Sequence, residues 1–185
     1  MVDVAMATRR PVLGPEIESH GSSFGFRALP ACARFAFRAK APPARAAGFD
    51  LALAINRFSR NGALAAARTG PDEYLLLAPE DAPVAAEIAA AMGSQFHALV
   101  DIGHRDAALE LSGPAVCDML NAGCPLDLGL AAFAVGMATR TLFGKAEVVL
   151  MREDARRFRL ECRRSFTPYV RDFLRAAARE LGGSA

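Results

Sequence analysis

Residues 137–182 read MATRTLFGKAEVVLMREDARRFRLECRRSFTPYVRDFLRAAARELG, and this stretch decides the fold class. Its first part carries three short runs rich in apolar and β-branched residues, and a charged segment separates the second run from the third. Short runs of this composition are typical of half-buried strands. We therefore predict three consecutive strands, over residues 137–143, 146–151 and 158–163.

A helix is predicted to follow these strands, and it is the clearest element in the chain. Thr167 can cap it, Pro168 suits its first turn, and Gly182 can end it. Apolar residues recur on one face at a helical period, namely Phe166, Tyr169, Val170, Phe173, Leu174, Ala177, Ala178 and Leu181. The helix is therefore expected to pack this face against the rest of the fold.

Similar signals predict shorter elements upstream. Asn61-Gly62 between two apolar runs predicts a tight hairpin. Asp81 can cap one helix that Gly93 ends, and residues 112–114 start another that Gly123 ends. Further strands are predicted over residues 33–40, 49–58, 74–77, 96–102 and 106–111. The order of elements predicts an α+β fold, with a largely antiparallel sheet backed by helices.

The first 28 residues differ in composition from the rest of the chain. They mix Pro, Gly, Ser and charged residues without a helical or strand period. We predict an extended N-terminal arm over residues 1–28 and a single α+β domain over residues 29–185. Of the 185 residues, 52% are hydrophobic, which is enough apolar material for one sizeable core.

Composition and charge argue against several classes of function. The formal net charge of +2 is too small for nucleic acid to be the main ligand. No apolar run is long enough to span a bilayer, and residues 1–10 lack the apolar segment of a signal peptide. Four cysteines occur without a CxxC motif or clustered histidines. We expect a cytoplasmic protein with reduced thiols and with neither a nucleic-acid partner nor a membrane association.

Basic residues concentrate near the C-terminus. Residues 152–185 contain nine arginines against five acidic residues. Two interpretations stay open for this excess. It could dock an acidic partner or bind phosphate, or it could be a solvated face of arginine–carboxylate pairs.

The sequence carries no complete motif for cofactor binding or covalent catalysis. It lacks the Gly-x-Gly-x-x-Gly, Walker, Gly-x-Ser-x-Gly and His-Glu-x-x-His patterns. His97, Asp101 and His104 have the chemistry of metal ligands, but on one strand residue 104 faces away from residues 97 and 101. We therefore predict no metal site, no catalytic residue and no cofactor bound by this chain alone.

Two groups of charged residues remain candidates for binding. Asp101, His104 and Arg105 lie at a predicted strand break, where they can fix a loop by hydrogen bonds or bind an anionic group. Glu147 lies in an otherwise apolar strand. An outward-facing, paired carboxylate and a general base are the two alternatives for it.

Six segments between residues 70 and 166 form an ordered series: 70–77 (GPDEYLLL), 100–105 (VDIGHR), 111–114 (LSGP), 120–128 (LNAGCPLDL), 139–147 (TRTLFGKAE) and 164–166 (RSF). Together they resemble the gamma subunit family of sarcosine oxidase. The resemblance implies a small subunit of a bacterial cytoplasmic heterotetramer, with alpha, beta and delta subunits as partners. Such a complex demethylates sarcosine to glycine, forms hydrogen peroxide and passes the one-carbon unit to tetrahydrofolate. FAD, FMN, NAD and tetrahydrofolate would then bind in the other subunits.

A more distant resemblance links residues 100–104 and 111–114 to the first domain of the glycine-cleavage aminomethyltransferase. It implies the folate-binding α+β fold of that domain. The candidate contacts for an anion, a folate-like ligand or a partner are Asp101, His104, Arg105, Arg140 and Glu147. Two alternatives to the accessory subunit stay open: a free-standing folate-binding one-carbon transferase or sensor, and an adaptor subunit of a related amine dehydrogenase.

Overall fold

Strands dominate the part of the chain that the structure describes. This computed structural model describes residues 11–14, 18–20 and 23–182. In chain order the elements are β1 (Glu18–His20), β2 (Phe24–Ala28), β3 (Ala33–Arg38), β4 (Arg45–Ala46), β5 (Phe49–Asp50), β6 (Arg57–Asn61), β7 (Leu64–Arg68), β8 (Glu73–Ala78), α1 (Val84–Met92), β9 (Ala98–Asp101), β10 (Asp106–Ser112), α2 (Val116–Asn121), β11 (Ala138–Phe143), β12 (Ala146–Asp154), β13 (Arg157–Arg163) and α3 (Thr167–Gly182). A 3-10 turn, Arg164–Phe166, joins β13 to α3.

The larger sheet has six strands in the order β1-β2-β10-β13-β12-β11, and every neighbouring pair is antiparallel. Helices α2 and α3 cover one of its faces. Phe158 and Leu160 of β13 pack there in one core with Val170 and Leu174 of α3. Burial of these side chains is the main stabilising contribution of this half of the molecule. The three strands and the helix predicted from residues 137–182 are therefore confirmed.

The smaller sheet has five strands in the order β6-β7-β8-β3-β9, again all antiparallel. Helix α1 covers its outer face through Val84, Ile88 and Met92, which pack with Phe37 and Leu76. The short β4–β5 ribbon packs against the same core. Val84, Ile88 and Met92 are four residues apart, a spacing that places all three on one face of the helix.

The two sheets face each other, which gives four layers in the order helix, sheet, sheet, helix. The layer between the sheets is filled by small residues (Ala65, Ala67 and Ala138) and by larger apolar ones (Leu75, Leu77, Ile102 and Met151). An isolated bridge from Arg57 to residue 137 joins the β6 edge of one sheet to the start of β11 in the other. The two sheets therefore meet at this edge.

The hairpin predicted at Asn61-Gly62 is confirmed, because Asn61 pairs with Leu64 and Gly62 has a φ of 58°. That left-handed conformation suits glycine, which has no Cβ. The single strand predicted over residues 49–58 is wrong. Instead β5 ends at residue 50 and β6 begins at residue 57, since Asn56 with a φ of 62° interrupts the extended backbone.

Two predicted helix caps are also wrong. Asp81 does not cap α1, whose N-cap residue is Pro83 without a side-chain hydrogen bond. Thr167 does not accept a bond from the first amides of α3. Its hydroxyl donates to the Arg163 carbonyl at 3.3 Å, because the 3-10 turn places the threonine one turn inside the helical segment.

Part of the predicted N-terminal arm lies inside the larger sheet. Strand β2 pairs with β10 from Gly25↔Ser112 to Ala28↔Leu109. Phe24 and Phe26 are buried in the same core as α3, and Leu13 also packs there. Alternating phenylalanines thus extend the sheet over residues 24–28. Residues 1–10, 15–17 and 21–22 of the predicted arm lie outside the described residues.

Candidate functional site

Strands β3 and β13 turn charged faces toward each other across the space between the sheets. In β3, Phe35 and Phe37 face α1, which leaves Arg34 and Arg38 on the opposite face. In β13, Phe158, Leu160 and Cys162 face α3, which leaves Arg159, Glu161 and Arg163 on the opposite face. The alternation of each strand therefore brings arginines and a glutamate into the centre of the fold.

Three of these residues form a buried ion triad. Arg34 Nε donates to Glu161 Oε2 at 2.7 Å, and Arg159 Nε donates to Glu161 Oε1 at 2.7 Å. Arg34 also donates to the Cys32 carbonyl at 3.1 Å. The side chains of Arg34 and Glu161 are only 1% and 3% exposed. Burial alone would raise the pKa of Glu161, but the two guanidiniums outweigh it and hold that pKa below its ordinary value.

A cleft of about 260 Å³ opens beside this triad, at the mouth between the two sheets. Ion pairs line its rim: Arg38 with Glu73, Arg140 with Glu73 at 3.4 Å, and Arg140 with Glu147 at 3.9 Å. Arg163 also lines the cleft, and no ion pair involves it within the described part of the chain. The cleft thus carries mixed charge with one guanidinium available for an anionic group.

Asp106 lines the cleft, and Cys162 lies beside it with its thiol on the α3 side of β13. Burial raises the pKa of the Asp106 carboxyl, while its ion pair with Arg105 at 3.3 Å acts in the opposite direction. Burial raises the pKa of the Cys162 thiol to about 11. The Cys162 sulfur lies 3.4 Å from the Thr167 hydroxyl. This thiol stays protonated near neutral pH, so it is unsuited to act as a nucleophile.

The structure brings three of the five predicted contact residues together. Arg105, Arg140 and Glu147 line the cleft, whereas Asp101 and His104 are not among its lining residues. Asp101 instead accepts a hydrogen bond from the Gly103 amide at 2.7 Å and so holds the turn before β10. Of the two alternatives for Asp101, the contacts support loop fixation. Glu147 is a paired carboxylate with an exposed side chain.

Sequence reasoning missed the residues at the centre of the site. Arg34 lies 125 and 127 residues before Arg159 and Glu161, so no local motif unites the three. One signal was available in the alternation of β13, where Arg157, Arg159, Glu161 and Arg163 recur with period two. A strand with charges on one face and apolar residues on the other must have that charged face solvated or paired.

A second buried arginine was also missed. Arg152 donates to the carbonyls of Leu128 and Phe133 at 2.7 and 2.8 Å and lies over the Phe158 ring at 4.8 Å. Its contacts tie the loop between α2 and β11 to the larger sheet. They serve the structure of that loop, because main-chain carbonyls accept from both terminal nitrogens of the guanidinium. Its buried Nε has no hydrogen-bond partner among the described residues.

Exposed apolar side chains form the other candidate surface. Phe96 and Val100, next to and within β9, are 97% and 56% exposed. Ile55 is 47% exposed on the loop before β6, and Leu130 and Val135 are similarly exposed. Apolar side chains on an open strand edge are a feature of protein–protein contact sites.

Neither a metal centre nor a membrane-crossing helix is found in the ranges 11–14, 18–20 and 23–182. No group of three or more His, Cys, Asp or Glu residues there has a metal-binding arrangement. No helix in those ranges is both long and apolar enough to cross a membrane.

Comparison with known proteins bears on this fold and site. Residues 31–180 match the model of the "Sarcosine oxidase, gamma subunit family". A curated sarcosine oxidase subunit gamma from Corynebacterium sp. (strain P-1) is 38% identical over 112 residues, which cover 60% of this chain and 55% of that protein. The chain aligns with about half the length of the curated relatives it matches.

Two solved structures share the fold. A chain of heterotetrameric sarcosine oxidase from Corynebacterium sp. U-96, in complex with pyrrole 2-carboxylate, matches with a TM-score of 0.79 and 25% identity, covering 92% of this chain and 91% of that chain. Glycine cleavage system aminomethyltransferase T from Bartonella henselae matches with a TM-score of 0.61 and 14% identity, covering 84% of this chain and 46% of that chain. The second likeness concerns the fold alone, and the predicted α+β fold class is confirmed.

Proposed function

This chain belongs to the sarcosine oxidase gamma subunit family, and from this premise we propose that it is the small accessory subunit of a heterotetrameric sarcosine oxidase. Its partners in this proposal are alpha, beta and delta subunits. The assembly oxidatively demethylates sarcosine to glycine, with formation of hydrogen peroxide and transfer of the one-carbon unit to tetrahydrofolate. The chain stabilises that assembly and is inactive on its own.

One observation carries the proposal. The match to a chain of the Corynebacterium heterotetramer extends over 92% of this chain and 91% of the other, so almost the whole molecule corresponds to one subunit. Exposed apolar residues on β9 and on the loop before β6 add support, because a subunit needs surface that its partners can bury.

The cleft between the sheets is small for a whole cofactor. Pockets that enclose drug-sized ligands have volumes of roughly 300–1,000 Å³. The cleft between the sheets, at about 260 Å³, is below that range, and carboxylates already engage Arg38 and Arg140 at its rim. This cleft therefore does not fit a whole tetrahydrofolate. We assign FAD, FMN, NAD and tetrahydrofolate to the other subunits because the family resemblance implies that division, and a second hollow of about 350 Å³, lined by Leu13 and Leu29, has no ligand assigned to it.

The predicted contact residues keep a smaller role in this proposal. Arg105, Arg140 and Glu147 line the cleft and are placed to contact an anionic group of a partner or of a ligand fragment. Asp101 and His104 lie on the adjoining turn, where they contribute to the shape of a contact surface. We place the assembly in the cytoplasm, where the four free cysteines of this chain would stay reduced.

The test is to tag this chain in its native host, purify it gently, and record the visible spectrum and the co-purifying masses. A yellow preparation that contains larger flavoprotein subunits and oxidises sarcosine is the expected result. A colourless, solitary chain would contradict the proposal and favour a free-standing folate-binding one-carbon transferase or sensor. A flavoprotein complex that oxidises a related amine and spares sarcosine would favour an adaptor subunit of an amine dehydrogenase.

A further inference from the structure

We propose that the open edge of β9 accepts an extended, acidic segment of a partner subunit, which joins the five-stranded sheet as a sixth strand. This inference rests on the proposed function, because it names where on this chain one partner docks. Three features of the described residues lead to it. They are the direction of the β9 backbone groups, the exposure of its side chains, and the charge of the cleft alongside.

The backbone of β9 has one side free among the described strands. β9 pairs only with β3, in the register Val100↔Ala36 and Leu99↔Phe37. Just beyond this ladder the Ile102 amide donates to the Arg34 carbonyl at 2.8 Å. Antiparallel ladders alternate, so the amide and carbonyl of Val100 also face β3, whereas those of Leu99 and Asp101 point away from the sheet. Such outward groups are the template for an added strand.

Large apolar side chains at this edge are exposed to solvent. Phe96 is 97% exposed and Val100 is 56% exposed, and both are large and apolar. β9 reads Ala-Leu-Val-Asp, so it lacks the lysines and prolines with which edge strands commonly block pairing. The one charged side chain of β9, Asp101, is exposed and accepts a hydrogen bond from the Gly103 amide. Strand addition at this edge would bury the apolar side chains and satisfy backbone groups together.

The cleft indicates the charge of the added segment. Val100 pairs with Ala36, and Ala98 pairs with Arg38. Ala36 and Arg38 both line the cleft, so the same face of β9 adjoins the charged residues of the cleft. Glu161 is already neutralised by its two buried arginines. The remaining charged lining is four arginines against three carboxylates, namely Arg38, Arg105, Arg140 and Arg163 against Glu73, Asp106 and Glu147. Glu73, Asp106 and Glu147 already pair with Arg38, Arg105 and Arg140, so the excess is the guanidinium of Arg163. A carboxylate on the cleft side of the segment would match it.

The first test uses substitutions in the chain co-expressed with the subunits that the tagged purification identifies. Val100→Glu should weaken co-assembly about tenfold or more, the effect typical of a central interface residue. Val100→Lys should weaken it less, since lysine does not repel an acidic segment. Ala86→Glu is the control, because it adds the same charge on the exposed face of α1, outside the candidate contact surface, and it should leave assembly unchanged. Equal losses for Val100→Glu and Ala86→Glu would overturn the proposal.

The second test measures amide hydrogen exchange residue by residue, in the isolated chain and in the assembly. In the isolated chain, Leu99 and Asp101 should exchange quickly and Val100 slowly. In the assembly, the amides of Leu99 and Asp101 should become protected, which docking through side chains alone would not produce. If they stay fast in an assembly that forms normally, the edge proposal fails while the proposed function stands.

Two other occupants of the edge are outcomes of the same measurement. Protection of Leu99 and Asp101 in the isolated chain, lost on dilution, would identify a second copy of this chain as the occupant. Protection that is independent of concentration but lost on deletion of residues 1–10 would identify the chain's own N-terminus. Either result would overturn a partner segment at β9. A wild-type chain that assembles with no other subunit would instead refute the proposed function.

Discussion

Replacing Glu161 by glutamine tests the account of the buried triad most directly. The substitution keeps the shape of the side chain and removes the charge that two guanidiniums share. Arg34 Nε and Arg159 Nε each lie 2.7 Å from a Glu161 oxygen, and Arg34 is 1% exposed, so it has no access to water as a replacement partner. The variant therefore leaves an uncompensated positive charge inside the molecule.

The size of the effect follows from that burial. Removing one member of a buried ion pair typically costs about 3–5 kcal/mol, because the remaining charge stays desolvated. Whole domains are stable by only about 5–15 kcal/mol, so the loss is a large share of the total. For a chain of this length each kcal/mol corresponds to about 2–4 °C, and the melting temperature should fall by about 6–20 °C.

Thermal and urea unfolding of the purified chain near neutral pH provide the assay. The control is Glu147→Gln. The Glu147 side chain is 60% exposed, and its carboxylate lies 3.9 Å from Arg140. Exposed pairs contribute about 0–1 kcal/mol, so this control should lower the melting temperature by less than about 4 °C. If Glu161→Gln loses no more stability than the control, the reasoning is refuted.

Two further measurements separate charge from packing. Adding Arg34→Met to Glu161→Gln removes the orphaned guanidinium and should restore part of the lost stability. The pH dependence of unfolding should also show that the charge of Glu161 stabilises the fold. The guanidiniums hold the folded-state pKa of Glu161 below its unfolded value, so the stability it contributes is present above the unfolded pKa and is lost as pH falls. The difference between wild type and Glu161→Gln should accordingly shrink in acid.

The remaining predictions concern Asp106 and a glycine turn. Because burial raises the pKa of Asp106, its ionised form costs stability as pH rises through that pKa. Urea unfolding should therefore find Asp106→Asn more stable than wild type near neutral pH, and a gain that does not shrink in acid would contradict this. Gly62 and Gly144 share a φ of 58°, but only at Gly144 would a methyl group overlap the Tyr169 hydroxyl. Gly62→Ala should cost about 1–2 kcal/mol in thermal unfolding and Gly144→Ala more, whereas equal losses would show that Tyr169 adapts freely.

The sequence by itself determined the elements whose signals are local. Residues 137–182 predict three strands and a helix, and all four form, because apolar periodicity and flanking turn residues act over a few neighbours. The Asn61-Gly62 hairpin was predictable for the same reason, as glycine accepts the left-handed conformation. Local signals gave a wrong prediction where a single residue has an unusual backbone conformation. The positive φ of Asn56 divides the strand predicted over residues 49–58.

Only the tertiary structure decided how these elements assemble and where charge is buried. Residues 24–28 read as part of an arm, yet pairing with β10 makes them a strand, since a sheet partner over eighty residues away leaves no local trace. The triad of Arg34, Arg159 and Glu161 has the same origin. Each residue alone resembles an ordinary surface charge of its strand, and only the face-to-face packing of the two sheets removes it from water. Desolvation depends on what covers a residue, and that is set by contacts far apart in the chain.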